Sequence, residues 1–200
     1  MSAPLKQRAL DLAAQHPLLR SSHFLEAGIP RIILTRLARS GQLEQLGDGL
    51  YRLPNVGGTE HESLLAVALK LPQAVFCLLT ALQFHELTTH IPRKVWIAKP
   101  KGSHVPKLAY PPLHMVQFTG AAFTEGIEVV YQDSVPLRMY SVAKTIADCF
   151  KHRNKIGIDV ALEALKVSRS EDKASVDELW HFAKICRVAN VMRPYMEMIE

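Results

Sequence analysis

The chain has 200 residues, of which 48% are hydrophobic and 22% are charged, and its formal net charge is +5. This composition excludes a disordered chain and is ordinary for a globular protein of one or two domains. The moderate basic excess is compatible with a nucleic-acid partner but does not require one.

Three helices are predicted in the first 40 residues from the spacing of their apolar positions. They cover 5–15, 23–27 and 30–40. Ser22 is expected to cap the second helix, with Glu26 completing a capping box. Gly28 and Gly41 are expected to end the second and third helices, because glycine readily adopts the left-handed conformation found there.

A hairpin is predicted directly after these helices, from residues 43–46 and 50–53. Its turn is Gly47-Asp48-Gly49, and Pro54 closes it. A lone hairpin is barely stable in water, so this one must pack on the preceding helices. Three helices followed by a hairpin form a winged helix-turn-helix.

The third helix is predicted to have two opposite faces. Ile33, Leu34 and Leu37 form an apolar stripe centred about 250° around the axis from Arg31. The opposite face, centred near about 70°, carries Arg31, Ile32, Thr35, Arg36 and Arg39. Arginine and threonine bind phosphate oxygens and base edges, which favours a DNA-reading face.

The basic excess supports this interpretation, since residues 1–53 contain seven Lys and Arg but four Asp and Glu. The hairpin would lie beside the third helix as a wing and contact the DNA backbone. The alternative is an ordinary solvated helix face beside a structural hairpin. The predicted DNA-binding residues are Ser22, Arg31, Ile32, Thr35, Arg36, Arg39, Gln45, Gly47, Gly49 and Arg52.

A linker over 54–59 separates this region from a segment of different composition, which predicts domains at 1–56 and 60–200. The strands predicted after the linker cover 95–98, 114–118, 127–132 and 135–140, and 74–79 is a short apolar run. The predicted helices cover 60–71, 80–87 (with Thr80 as its cap), 141–152, 157–166, 175–186 and 188–199. The fold class is therefore α+β: an N-terminal winged helix, then a mixed α/β domain with a small sheet and a helical C-terminal part.

The proline-rich residues 99–113 are predicted to be a long exposed loop. The lysines of this region either extend a basic surface or only aid solubility, and the sequence leaves both open. They are Lys94, Lys99, Lys101 and Lys107.

Two resemblances to catalytic or metal sites fail on spacing. In His85-Glu86-Leu87-Thr88-Thr89-His90 the second histidine is one position too far along a helix to share a zinc ion with the first. Ser141, Asp148 and His152 lie on one predicted helix, which lacks triad geometry. Asp148 is expected to cap a helix or to pair with Lys144 or Arg138. We therefore predict no enzyme, no cofactor and no metal.

The chain is also predicted to be cytoplasmic. Cys77, Cys149 and Cys186 form no C-x-x-C pair, which indicates reduced core thiols. The first twenty residues lack the apolar centre of a signal peptide, and no apolar run of about 18 residues occurs. A membrane partner is not expected.

Residues 135–166 resemble the AbiEi antitoxins of type IV toxin–antitoxin systems, which join a winged helix to an antitoxin domain. The family's T-(I/L)-x-D-C-like core is Thr145-Ile146-Ala147-Asp148-Cys149 here. Its Gly-x-Tyr-x-Leu-Pro motif is Gly49–Pro54. Its S-A-L-x-x-H-G-L motif is similar to residues 80–87, although Thr replaces Ser and Glu replaces Gly.

The resemblance implies an autorepressor that binds inverted repeats in its own promoter and opposes a nucleotidyltransferase-like toxin. It does not identify a toxin-neutralising surface, and the oligomeric state is open between a monomer and a weak dimer. The alternative is a winged-helix regulator with a ligand-sensing C-terminal domain and no toxin partner. Ligand pockets are mostly apolar and leave little trace in sequence.

Overall fold

The computed structural model describes residues 4–47, 49–54, 61–104 and 108–198. The chain divides into two compact units. The first unit consists of 1–72 with the short segments 107–112 and 131–137, and the second consists of 73–106, 113–130 and 138–200.

The first unit has the predicted winged-helix order. Its elements are α1 (Leu5–Ala14), β1 (Leu19–Arg20), α2 (Ser21–Glu26), α3 (Arg31–Arg39), β2 (Glu44–Gly47), β3 (Leu50–Arg52) and α4 (Glu62–Lys70). The three strands form an antiparallel sheet in the order β1-β3-β2. The predicted hairpin is thus the β2–β3 pair, and β1 extends it to a third strand.

The hairpin is stable because it shares a core with the three helices before it. Leu34 and Leu37 of α3 are buried together with Phe24 of α2 and Tyr51 of β3. The Phe24 and Tyr51 rings meet edge to face, with centroids 6.0 Å apart. Edge-to-face aromatic pairs add to the free energy gained by burial, so this contact fixes β3 against α2.

The second unit contains most of a five-stranded sheet and a set of helices. Its elements are β4 (Val75–Phe76), α5 (Leu78–Phe84), β5 (Val95–Pro100), β6 (Leu113–Phe118), α6 (Ala121–Thr124), β7 (Ile127–Gln132), β8 (Val135–Tyr140), α7 (Val142–Lys151), α8 (Arg153–Ile156), α9 (Ile158–Ser170), α10 (Val176–Ile185) and α11 (Ala189–Glu197). The strand order is β6-β5-β4-β8-β7. The sheet is mixed, since β4 pairs antiparallel with β5 and parallel with β8. The predicted α+β class is confirmed.

Two predicted helix caps are wrong. The second helix begins at Ser21, and the backbone N–H of Arg20 donates to Nδ1 of His23 at 3.4 Å, so Ser22 lies in the first turn and does not cap it. Helix α5 begins at Leu78, which places Thr80 inside the helix. The Thr80 hydroxyl oxygen instead accepts a hydrogen bond from the backbone N–H of Trp96, at 2.8 Å. A partner elsewhere in the fold takes the Thr80 hydroxyl, whereas the second helix begins one residue earlier than expected and is capped by the local contact between Arg20 and His23.

The grouping of α4 differs from the predicted domain limits, which placed it in the second domain. Within the first unit, Arg20 donates to the carbonyl oxygen of Leu69 at 2.9 Å, and Arg52 pairs with Glu62. These bonds fix both ends of α4 to the β1–β3 region. The linker residues 55–60 lie outside the described residues, so the boundary at 56–60 itself stays a prediction.

Asp148 pairs with Lys144, the first of its two predicted partners. The Lys144 ammonium lies 2.5 Å from the Asp148 carboxylate, and both side chains are fully buried in α7. The same ammonium lies 3.9 Å from the centre of the Tyr140 ring. The Cys186 thiol donates to the other carboxylate oxygen at 3.2 Å. Burial raises the pKa of Asp148 to about 6, although Lys144 and the Cys186 thiol act in the opposite direction.

Replacing Lys144 with Met should lower the unfolding free energy by about 3–5 kcal/mol, because Asp148 would stay buried without its counter-charge. The loss should be smaller at pH 5 than at pH 8. Lys144 lowers the pKa of Asp148, so without it the pKa of the buried carboxyl rises further and falling pH stabilises the variant more than the unmodified protein. Urea denaturation at the two pH values measures both effects. The exposed Lys151→Met is the control, and an equal loss for both variants would contradict the assignment.

Candidate nucleic-acid interface

Helix α3 has one buried and one exposed face, as its sequence pattern predicts. Leu34 and Leu37 are 0% and 1% exposed, and Ile33 is partly buried against the same core. The opposite side chains are all exposed: Arg31, Ile32, Thr35, Arg36 and Arg39. Ile32, the one large aliphatic side chain of this face, is 55% exposed.

The turn between α2 and α3 aims this face away from the core. Gly28 adopts a φ of +74°, a backbone conformation that glycine takes without strain. The N–H of Ile29 then donates to the Phe24 carbonyl oxygen at 2.8 Å, and the Ile29 side chain is buried. Pro30 precedes the first helical residue of α3. Because both ends of the turn are fixed by buried side chains, the direction of α3 is set.

Stabilisation of the helix explains two of the three arginines of α3 but not the third. Among the described residues, no acidic side chain forms an ion pair with Arg31, Arg36 or Arg39. Arg36 and Arg39 are in the last turn, where positive charge stabilises a helix. Arg31 is in the first turn, where positive charge is unfavourable. Its placement indicates a role outside the helix.

The hairpin turn is anchored to the start of α2. Gly47 and Gly49 have φ of +98° and +71°, and Asp48 between them lies outside the described residues. The N–H of Ser21 donates to the Gly49 carbonyl oxygen at 2.8 Å. A Cβ atom on Gly49 would lie 3.1 Å from the Ser21 hydroxyl oxygen, closer than ordinary contact. Gln45 of β2 is exposed.

Arg52, which the sequence placed among the DNA-binding residues, forms ion pairs with two glutamates. Its Nε donates to Glu44 of the neighbouring strand at 2.8 Å, and its Nη1 donates to Glu62 of α4 at 2.5 Å. The hydrogen bond to Glu44 is the largest of the effects that raise the pKa of Arg52. The Arg52 and Glu62 side chains are only 20% and 9% exposed. Arg52 therefore fixes the wing to α4.

The sequence pattern missed the contacts of a distant segment with the wing. Residues 108–112 belong to the first unit, where a Cβ atom added to Gly47 would lie 3.3 Å from the Ala109 Cβ. The Tyr110 hydroxyl lies 3.3 Å from that of Ser63 in α4. No local signal could have placed this part of a proline-rich loop beside the hairpin.

The histidine-containing segment 85–90 also has a structural explanation. Nε2 of His85 lies 2.7 Å from the Tyr140 carbonyl oxygen, a hydrogen bond that uses this nitrogen. Within the described ranges, no group of three or more His, Cys, Asp or Glu is arranged to hold a metal ion. No described helix has both the length and the apolar character needed to cross a membrane.

Replacing Arg52 with Met should lower the unfolding free energy by about 1–3 kcal/mol, because the largely buried Glu62 loses its partner. A direct phosphate contact predicts the opposite pattern: unchanged stability, with the salt dependence of DNA binding shallower by about one unit. Denaturation and DNA titration of the same variant separate the two. The exposed Arg39→Met is the stability control and should unfold like the unmodified protein.

Comparisons with known proteins bear on both units. Residues 7–54 match the sequence model of a family described as "Transcriptional regulator, AbiEi antitoxin". The fold is similar to the crystal structure of the RV2827C protein from Mycobacterium tuberculosis, with a TM-score of 0.64 and 14% identity, over 92% of this chain and 72% of that chain. At this identity the likeness shows the fold alone.

No curated protein matches the chain. The family match supports a role as a DNA-binding regulator and includes α3 and the wing. The resemblance of residues 135–166 to the antitoxin domain lies outside the matched residues and stays a prediction. Over residues 7–54 the predicted resemblance is confirmed, because this part of the chain matches the sequence model of the AbiEi transcriptional regulators.

Proposed function

We propose that the protein is a transcriptional repressor that inserts α3 into the major groove of duplex DNA. The observation that carries the proposal is the exposed face of α3, which presents three arginines and a threonine directly opposite the buried leucines. A helix packed in this way, beside a hairpin, is the arrangement by which helix-turn-helix proteins read DNA.

Each side chain of the face has a chemical part in this proposal. The N-terminal residues of a recognition helix contact base edges, which gives Arg31 and Thr35 that role. The Thr35 hydroxyl donates to the Arg31 carbonyl oxygen at 3.2 Å, so its own oxygen still accepts a hydrogen bond. Ile32 suits the methyl group of thymine. Arg36 and Arg39 are assigned to phosphate oxygens at the other end of the helix.

The wing contributes backbone contacts. Gln45, Gly47 and Gly49 are assigned to the sugar–phosphate backbone, and Ser22 contributes from the first turn of α2. Arg52 leaves this set and becomes a positioning residue, because its guanidinium already pairs with Glu44 and Glu62. The proposed DNA-binding residues are therefore the predicted set without Arg52.

The proposed target is an inverted repeat in the protein's own promoter. One copy of the winged helix would occupy each half-site, because a two-fold sequence is read by two copies of the same unit. A monomer or a weak dimer both allow this arrangement. The family description and the residues of α3 support autorepression.

The second part of the proposal assigns residues 60–200 to protection against a nucleotidyltransferase-like toxin, without catalysis. The family description, which names an antitoxin, and the resemblance of residues 135–166 support it. The buried Lys144–Asp148 pair shows that the Thr145–Cys149 core of that resemblance lies inside α7, so it builds the fold. No toxin-contacting residue is assigned.

Replacing Arg36 and Arg39 together with Ala should weaken promoter binding and make its salt dependence shallower, by about one unit of slope for each lost phosphate contact. Alanine favours helix, so α3 should remain folded. Titration of a promoter duplex at several salt concentrations measures both effects. The matched control replaces Lys151 and Lys166, two exposed lysines of the other unit, with Ala. Unchanged promoter binding by the folded double arginine variant would contradict the proposal that this face of α3 binds DNA.

The same arginine variant separates repression from protection. If the neighbouring gene is toxic when expressed alone, full-length protein carrying Arg36→Ala and Arg39→Ala, supplied from an unrelated promoter, should still restore growth. Growth on co-expression is the measurement. If restored growth requires both arginines, protection instead acts through control of transcription. If the neighbouring gene is not toxic, the sensing-domain alternative replaces the antitoxin part of the proposal.

A further inference from the structure

A second candidate site lies in the second unit, in a groove of about 350 Å³ that we call the Trp96 groove. Its main lining residues are Leu79, His90, Arg93, Lys94, Trp96 and His114. The volume falls at the lower end of the range typical of small-molecule sites. The groove is part of neither the winged helix nor its wing.

The floor of the groove is an aromatic stack. Trp96 of β5 and His114 of β6 are directly opposite in the parallel register, so their side chains share one face of the sheet. Their rings lie 3.8 Å apart between centroids, with an angle of 29° between planes. Both rings are partly buried and both border the groove. Because the two rings face each other, a planar ligand can stack on an outer face of the pair.

The wall of the groove is positively charged. Arg93 and Lys94 line it, and none of the lining residues in the described ranges is acidic. Burial lowers the pKa of His114, and the charges of Lys94 and Lys155 lower it further. Two cations, Arg93 and Lys94, therefore line the groove beside the stacked rings. In the described part of the chain no carboxylate forms an ion pair with either of them.

A further side chain is exposed at the edge of this site. Ile91, between His90 and Pro92, is 74% exposed. It adds an apolar contact next to the stacked rings, where a planar ligand would also lose water. The groove thus combines a flat aromatic surface, an apolar edge and uncompensated positive charge.

We propose that the Trp96 groove binds a nucleoside phosphate, with the base on the Trp96–His114 platform and the phosphate on Arg93 and Lys94. Bases stack on aromatic side chains irrespective of their hydrogen-bonding pattern, and arginine and lysine bind phosphate by charge-assisted hydrogen bonds. The ligand is either a free nucleotide or the end of a single strand. This site is independent of the duplex interface of α3, and it would give the second unit a sensing role.

The test is a titration of the full-length protein with AMP and ATP, followed by NMR of the Trp96 indole N–H and the His114 ring protons. The expected result is saturable shifts of both signals. Adenosine and inorganic phosphate, titrated separately, should each bind at least about tenfold more weakly than AMP. A ten-residue single-stranded oligonucleotide that binds more tightly than ATP assigns the site to strand ends, and the reverse assigns it to free nucleotides.

The charge variant replaces Arg93 and Lys94 with Gln, and should weaken AMP binding by about tenfold or more. Its control replaces the exposed Lys166 and Lys184 of the same unit with Gln, which gives an equal change in net charge. Duplex binding through α3 should be the same in both variants. An absence of Trp96 and His114 shifts at millimolar AMP and ATP would overturn the proposal. Equal binding of phosphate and AMP would overturn its stacking part.

Discussion

The burial of Leu34 and Leu37 is the constraint on which the candidate interface depends. These two side chains are almost completely buried in the first core, and they fix the rotation of α3 about its own axis. A helix whose apolar stripe is held in a core must present its opposite side to solvent. Arg31, Thr35 and Arg36 are exposed because of this rotation, and no other contact is needed to keep them on the solvent side of the helix.

The wing depends on the same core through Tyr51 and on a second fixation through Arg52. The Arg52 guanidinium joins β3 to Glu44 of β2 and to Glu62 of α4. Partly buried ion pairs with two partners restrict geometry even when their net contribution to stability is modest. The wing and α3 are therefore held against the same core.

Local patterns predicted those features that local physics controls. The faces of α3 follow from helical periodicity, because Leu34 and Leu37 are one turn apart, and the hairpin follows from its glycine turn. The partners of Arg52 could not be predicted, because Glu62 reaches it only after α4 has packed. The cap expected at Ser22 failed for a local reason, since the helix begins at Ser21 and the Arg20 backbone bonds to His23 in its first turn. Sequence reasoning was reliable where spacing fixes the geometry and unreliable where tertiary contacts compete.

NMR mapping of backbone amides during titration with a duplex from the protein's own promoter tests the central claim most directly. The account predicts that the largest shifts fall on residues 31–39 of α3 and on 45–49 of the wing, with small shifts at the buried Lys144 and Asp148. The shifts should decrease as salt is added, because phosphate contacts release counterions. A titration in which the amides of α3 do not shift while those of another surface do would contradict the account.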